Sequence, residues 1–244
     1  MIKAYVKTDV GKVREINEDS FYISDSLDGL QLYILADGMG GYNGGDIASK
    51  LAIKSIKSYI ENNFKDIEKD KASIIQLIGS SIEYANMIIY EKAKKDEELN
   101  KMGTTIEVCL IYNNRVYIGH IGDSGIYRIR NDIIRKLTQD HSYVQKLVKD
   151  GTITKEQAVN HPQKNMLMKA LGCGSFVEPD VMVKGFMKQD ILVMASDGLT
   201  NQVGKEEICK HAKANIEQAT KDLVKIANDN GGYDNITVII IKNI

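Results

Sequence analysis

The chain has 244 residues, 43% of them hydrophobic, which is enough to bury one substantial core in a single domain spanning residues 1–244. Lys plus Arg (32) nearly balance Asp plus Glu (33), so the net charge gives no reason to expect nucleic-acid or membrane partners. Three widely spaced cysteines fit neither a disulfide framework nor a metal knuckle. With no signal-like or bilayer-length apolar run, we expect a cytoplasmic protein that is a monomer.

The first part of the chain alternates strand-like and helical patterns. Residues 2–8, 20–25 and 31–36 are rich in β-branched and aromatic residues, which predicts three strands. Apolar residues then recur at helical spacing over residues 45–64 and again over residues 73–99. These stretches predict two long amphipathic helices.

Residues 104–137 predict an antiparallel meander, because the dipeptides Asn113-Asn114 and Asn131-Asp132 interrupt strand-like runs in the manner of two-residue hairpin turns.

The remainder predicts short helices over 142–170, two strands over 177–196, helical structure over 204–230 and a last strand over 234–242. Strands occur in hairpin-like groups and helices in pairs. This order favours an α+β fold with two antiparallel sheets between helices over a doubly wound parallel fold.

Four aspartates stand at the ends of strand-like runs. Asp37, Asp123 and Asp197 follow such runs, and Asp234 precedes the last one. Burying a carboxylate is unfavourable without a partner, and no Lys or Arg adjoins any of the four. Oxygen ligands without paired His or Cys favour Mg²⁺ or Mn²⁺ over zinc. The pattern therefore predicts a metal-dependent hydrolase.

Each aspartate alone also fits an ordinary turn, since Asp-Gly and Asp-Asn are common turn dipeptides. Recurrence at four strand ends favours the metal site. Gly38 and Gly198, directly after two of the aspartates, indicate backbone held close to a shared centre.

Seven motifs in order closely resemble the protein phosphatase 2C family of metal-dependent serine/threonine phosphatases, especially its bacterial single-domain members. They run from residue 14 to residue 237: REINED at 14–19, ADGMGG at 36–41, MGTT at 102–105, GHIGDS at 119–124, LTQDHS at 137–142, ASDGL at 195–199 and GYDNIT at 232–237. The resemblance implies a β-sandwich of two antiparallel sheets flanked by helix pairs, with two Mn²⁺ or Mg²⁺ ions at one edge.

The resemblance also implies the metal ligands. Asp37 matches the carboxylate that bridges both ions, and Gly38 matches the residue whose carbonyl joins the first. Asp197 and Asp234 match ligands of the second ion. Bacterial relatives often carry a third, weaker metal, for which Asp123 and Asp197 match the ligands.

Other positions match residues around the ions. Glu18, Asp19 and Asn235 correspond to positions that hold metal-bound waters, and Arg14 to the arginine that grips the substrate phosphate. The implied reaction is hydrolysis of phosphoserine and phosphothreonine by a metal-bridging hydroxide, in which Arg14 and Asp37 are catalytic. The implied partners are phosphorylated proteins and a bacterial Ser/Thr kinase.

The chain departs from many bacterial relatives after Gly41, where Tyr42 and Asn43 replace the family's proposed general acid, a histidine. Tyr42 or a metal-bound water could protonate the leaving group, or protonation could contribute less; we favour the water, because tyrosine is a weak acid at neutral pH. The departure keeps open one alternative, a regulatory pseudophosphatase without turnover. The residues alone leave open another, a metal-dependent phosphohydrolase acting on small molecules or nucleotides. Residues 142–176 correspond to the flap, a segment beside the cleft that is associated with substrate choice in relatives. A helical insertion without a functional role fits these residues equally well.

Overall fold

The computed structural model describes residues 1–24, 30–40 and 44–244. The strands are, in chain order, β1 (Ile2–Asp9), β2 (Ser20–Ile23), β3 (Gln31–Ala36), β4 (Gly38–Met39), β5 (Gly103–Thr104), β6 (Ile106–Tyr112), β7 (Arg115–Ile121), β8 (Gly125–Arg130), β9 (Ile133–Lys136), β10 (Asp180–Gly185), β11 (Ile191–Ala195) and β12 (Ile236–Asn243). The helices are α1 (Gly44–Asn63), α2 (Lys71–Lys95), α3 (Tyr143–Lys149), α4 (Lys155–Val159), α5 (Asp197–Thr200), α6 (Lys205–Ala214) and α7 (Ile216–Asp229), with a 3₁₀ turn at Glu97–Leu99.

Two five-stranded antiparallel sheets form the centre of the structure. The first has the strand order β1-β12-β11-β8-β9 and the second β10-β7-β6-β3-β2, while β4 and β5 form a small separate pair. Helices α1 and α2 cover the outer face of the second sheet, and α6 and α7 cover that of the first. The predicted α+β sandwich flanked by helix pairs is confirmed.

Strand β3 illustrates how both faces of a sheet are buried. Its side chains alternate, so that Leu32, Ile34 and Ala36 pack under α1 and α2, whereas Tyr33 and Leu35 pack between the sheets. A strand buried on both faces reads as a continuous apolar run, which is the pattern that precedes Asp37.

The hairpin turns follow the predicted chemistry. Asn113, Asn114, Asn131 and Asp132 all have positive φ, between 47° and 67°. Two such residues in succession match the twist of the flanking strands, and Asn and Asp adopt this conformation more readily than most residues.

Helix boundaries differ from the sequence predictions at two points. The predicted helix over 73–99 ends at Lys95, because Asp96 is extended and caps the following 3₁₀ turn. The helical stretch over 204–230 breaks at Asn215, whose side chain accepts hydrogen bonds from the first backbone amides of α7. Residue 25, the predicted end of the second strand, lies outside the described residues.

Helix α2 has the length and apolar composition of a membrane-spanning helix. This is weak evidence for a membrane segment, because its apolar face packs into the core beneath the second sheet.

Gly119 sets how closely α2 approaches the second sheet. A Cβ at Gly119 would lie 2.6 Å from side-chain atoms of Ile78 and Ile82, both fully buried. Gly119→Ala should therefore lower the free energy of unfolding by about 1–3 kcal/mol, measured by urea denaturation.

Gly79→Ala is the matched control within α2. Its Cβ would meet one atom at an ordinary 3.7 Å. Since alanine favours helix more than glycine does, this variant should be unchanged or more stable by up to about 1 kcal/mol. Equal effects of the two substitutions would contradict the packing argument.

Candidate metal centre

The predicted site residues meet at one edge of the sandwich. Strands β3, β7 and β11 end just before Asp37, Asp123 and Asp197, and Asp234 precedes β12. A pocket of about 240 Å³ is lined by residues that include Arg14, Glu18, Asp37, Gly38, Asp123, Asp197 and Asp234. Asp19 is buried beside it, within hydrogen-bonding distance of Ser196.

Backbone contacts hold Asp37 in place. Its N–H donates to Thr105 Oγ1 at 3.1 Å, and its carbonyl accepts from Thr105 N at 2.9 Å and from Thr104 Oγ1 at 2.8 Å. Thr105 Oγ1 also lies 3.0 Å from Ser124 Oγ, next to Asp123. The two threonines thus join two of the aspartate-bearing loops, a role that the sequence analysis did not assign to the MGTT motif.

Close backbone approach explains the two glycines beside the aspartates. A Cβ on Gly38 would lie 2.3 Å from Gly45 O, and one on Gly198 would lie 2.0 Å from Asn235 O. Both distances exclude a side chain. The close backbone approach predicted at these two glycines is confirmed, whereas their part in a shared metal centre stays a prediction.

Asp19 is a buried carboxylate with one unused oxygen. Ser196 Oγ donates to its Oδ2 at 2.9 Å, whereas its Oδ1 is buried without a hydrogen-bond partner. Burial raises the pKa of Asp19 to about 6. An orphaned buried acceptor beside the pocket suits a donor such as a metal-bound water.

Asn235 organises the loop that carries Arg14 and Glu18. Its Oδ1 accepts from Glu18 N at 2.8 Å, and its Nδ2 donates to Val10 O and Ile16 O at 2.9 Å each. The Glu18 carboxylate in turn accepts from Gly45 N at 3.1 Å. The amide of Asn235 therefore acts here through backbone groups, linking the start of β12 to the loop after β1.

Asp37, Asp123 and Asp197 share an electrostatic environment that disfavours their ionised forms. Burial raises the pKa of Asp37 well above its usual range, and Asp19, Asp197, Asp123 and Asp234 raise it further. Burial, followed by Asp123 and Asp234, raises the pKa of Asp197 to about 7. Burial, followed by Asp140, raises the pKa of Asp123 to about 6. Bound divalent cations would reverse this by favouring the ionised forms.

The donor set fits hard divalent cations, because it consists of carboxylate and carbonyl oxygens. In the described part of the chain, however, no three His, Cys, Asp or Glu side chains are already gathered closely enough to hold one ion. Instead, Arg14 Nη2 donates to Asp234 Oδ2 at 2.9 Å, so an arginine partly neutralises one predicted ligand. Cations would have to draw the carboxylates together and complete their coordination with water.

Comparison with known proteins agrees with this geometry. A family model described as protein phosphatase 2C matches residues 12–237. The chain belongs to the protein phosphatase 2C family. The serine/threonine phosphatase Stp of Listeria innocua is 38% identical to this family member over 242 residues, covering 98% of this chain and 95% of the relative.

Solved structures extend the likeness to the whole fold of the phosphatase 2C family. The Streptococcus agalactiae serine/threonine phosphatase superposes with a TM-score of 0.91 at 36% identity, covering 99% of each chain. The catalytic domain of the phosphatase PstP, solved in complex with two manganese ions, gives a TM-score of 0.86 at 30% identity and covers 99% of this chain and 97% of that one.

Two histidines of this phosphatase 2C member stack behind the centre. The rings of His120 and His141 lie 4.6 Å apart, and His120 Nδ1 is 2.7 Å from the carboxylate of Glu107, fully buried with it. His141 accepts from Gly122 N through Nδ1 at 3.1 Å, and its own N–H donates to Gly122 O at 2.7 Å. His141 O accepts from Met168 N at 2.7 Å. His141 thus joins the loop before Asp123 to the flap.

Tyr42 and Asn43 lie outside the described residues, so the group that protonates the leaving oxygen stays a prediction.

Metal-free protein should lose stability as the pH rises from about 4 to about 7. Unfolded aspartate ionises near pH 3.9, whereas folding raises the pKa of Asp19 and Asp123 to about 6 and of Asp197 to about 7. The folded state therefore binds more protons than the unfolded state in this window, and its free energy of unfolding falls with increasing pH. Urea denaturation of chelator-treated protein at several pH values measures the slope.

Asp197→Asn removes one of these charges. Without metal it should exceed the wild type in stability at pH 7.5 by about 1 kcal/mol or more, and show no such gain at pH 4. Asp66→Asn, at an exposed position, is the control and should not change the slope. A variant less stable than wild type at pH 7.5 would contradict the repulsion.

Proposed function

We propose that this chain is a metal-dependent protein serine/threonine phosphatase, which hydrolyses phosphoserine and phosphothreonine. The observation that carries the proposal is the cluster of four carboxylates at the strand ends, with Arg14 at its exposed side. Relatives named as serine/threonine phosphatases, aligned over nearly their whole lengths, support the substrate class. We further propose a single catalytic domain over residues 1–244.

Asp37, Asp197, Asp234 and the carbonyl of Gly38 would hold two Mn²⁺ or Mg²⁺ ions, and Asp123 with Asp197 a third, weaker one. Two manganese ions in the PstP catalytic domain support the count. Such ions supply a water of lowered pKa as nucleophile and neutralise the carboxylates.

The chain's own residues then position the substrate. Arg14 is half-exposed and offers a planar pair of donors to the phosphate oxygens, where negative charge grows in the transition state. Glu18 and Asp19 accept hydrogen bonds from ordered water through oxygens that face the pocket or lack a partner. Water attacks phosphorus directly and gives up a proton, the bond from phosphorus to the serine or threonine oxygen breaks, and that oxygen takes up a proton and leaves as the alcohol. Solvent ¹⁸O in the phosphate released in a single turnover tests cleavage of this P–O bond; a trapped phosphoenzyme would overturn direct attack.

We also propose that the protein is a cytoplasmic monomer that opposes a Ser/Thr protein kinase, with no nucleic-acid or membrane partner. Light scattering of the purified protein tests the monomer. Phosphoproteomes of cells with and without the active protein test the opposition to a kinase, because kinase substrates should gain phosphothreonine when activity is lost. Fractionation of those cells tests the location.

Phosphate release from a phosphothreonine peptide should require added Mn²⁺ or Mg²⁺ after chelation. Asp37→Asn and Asp197→Asn should each lower it at least about 100-fold, because each removes a predicted ligand. Asp66→Asn should retain full activity. Isothermal titration with Mn²⁺ separates lost binding from lost turnover. Wild type that binds metal, stays folded and releases no phosphate would indicate a regulatory pseudophosphatase; faster turnover of nucleotides or sugar phosphates would indicate a small-molecule enzyme.

Arg14→Ala should lower kcat/KM on the phosphopeptide by roughly 10- to 100-fold, the loss expected for a charge-assisted hydrogen bond. Arg14→Lys should restore little of it, because lysine lacks the planar fork. Arg135→Ala, at an exposed position on β9, is the control. Full activity of Arg14→Ala would remove Arg14 from the mechanism.

A further inference from the structure

A second cavity, of about 690 Å³, adjoins the metal centre. Asp123, Asn165 and Asp197 line both the cavity and the metal pocket. Its lining comes from α3, α4 and the segment around Lys164, all within the flap, and from β8, α5 and the start of α6. We call this cavity the flap groove. A peptide whose phosphorylated residue reaches the metal centre would have a neighbouring segment beside or within the groove.

The charges that line the flap groove do not balance. Its three acidic residues do not pair with the remaining lysines of the groove. Asp123 and Asp197 also line the metal pocket, and Asp140 pairs with Lys136. Three further lysines line the groove, and none forms an ion pair with a described residue: Lys155, Lys164 and Lys205. All three are exposed. The groove therefore offers three free cations to a ligand.

Each of the three lysines comes from a different part of the wall. Lys155 begins α4, Lys164 lies in the loop after it, and Lys205 begins α6. The Lys205 ammonium lies 6.0 Å from the ring centre of Tyr127, which also lines the groove. Cations contributed by three separate segments suit an extended ligand with several negative groups more than a single small anion.

The flap as a whole also carries a net positive charge. Residues 142–176 contain five lysines and two acidic residues, in a chain whose formal net charge is −1. A smaller cavity of about 380 Å³ also contains Gln145 of α3 in its lining, and it is lined by Lys146, Lys149 and Lys169 together with Asp140 and Asp180. The flap therefore carries an excess of lysines over acidic residues next to the metal centre.

We propose that the flap groove binds acidic side chains next to the phosphorylated residue, so that the enzyme prefers phosphoproteins whose phosphosite is flanked by Asp or Glu. The inference rests on the proposed phosphatase function and adds the chemistry of its substrate. The substrate phosphate would bind at the metal centre, and the flanking carboxylates would bind the lysines of the groove. The groove therefore affects substrate binding and not the chemical step.

Three phosphothreonine peptides of equal length test the groove: one with glutamates before the phosphothreonine, one with glutamates after it, and one with glutamines at both. With Mn²⁺ at low salt, one glutamate peptide should have a kcat/KM about tenfold above the glutamine peptide, mainly through KM. The preference should shrink in high salt, because exposed charges are screened.

The variant Lys155→Gln, Lys164→Gln, Lys205→Gln should reduce this preference to about twofold or less. Its turnover of the glutamine peptide and of a small aryl phosphate should match wild type. The matched control is Lys54→Gln, Lys92→Gln, Lys94→Gln, which changes the net charge equally at exposed positions on α1 and α2. This control should retain the preference.

Fluorescence anisotropy of the labelled glutamate and glutamine peptides, measured with chelator, tests the groove without turnover. Equal binding and equal kcat/KM for all peptides on wild type would overturn the proposal, as would a preference that survives in the groove variant or disappears in the control. Displacement of the glutamate peptide by a single-stranded RNA at lower concentration would also overturn it. Absence of turnover on every phosphopeptide, with the peptide preference intact in binding, would instead refute the phosphatase function alone.

Discussion

Repulsion among carboxylates is the constraint on which the site depends. Asp37, Asp123, Asp197 and Asp234 line one pocket, and burial together with their mutual repulsion raises the pKa of Asp37 far above its usual range. A chain free to relax would separate them. Two sheets with well-packed cores prevent this, because each aspartate is attached to the end of a strand whose side chains are locked between helices or between sheets. The packing of the two sheets stabilises the fold enough to offset the repulsion among the carboxylates, and this repulsion is what makes the pocket suitable for cations.

Neutral groups hold the aspartates in position. Thr104 and Thr105 bind the backbone of Asp37, Asn235 ties the start of β12 to the Glu18 loop, and His141 binds the peptide before Asp123. Hydrogen bonds to the backbone fix the orientation of the aspartate-bearing segments without neutralising the carboxylates. The carboxylates therefore stay available to metal ions. Arg14 differs, since it pairs with Asp234 from the exposed side. In the proposed mechanism it would exchange that partner for a substrate phosphate.

Negative and positive charge occupy adjacent but distinct parts of the molecule. The carboxylates belong to the rigid ends of the sheets, whereas the uncompensated lysines belong to the flap and to the start of α6. Under the proposed function, chemistry that needs fixed geometry would lie on the sandwich, and recognition of substrate charge would lie on surface segments. His141 connects the two parts, because its backbone binds the flap at Met168 and its ring binds Gly122.

The sequence by itself determined the elements and the chemistry. Alternation and helical spacing predicted the strands and helices to within a few residues, and the Asn-Asn and Asn-Asp pairs predicted the hairpins. The acids at strand ends predicted the carboxylate cluster. Each of these signals lies within a few neighbouring residues. Only the tertiary structure decided the roles of Thr105, Ser196 and Asn235 and the stacked His120 and His141. These contacts join residues distant in the chain, as Ser196 and Asp19 are, and exist only once two sheets have packed in register.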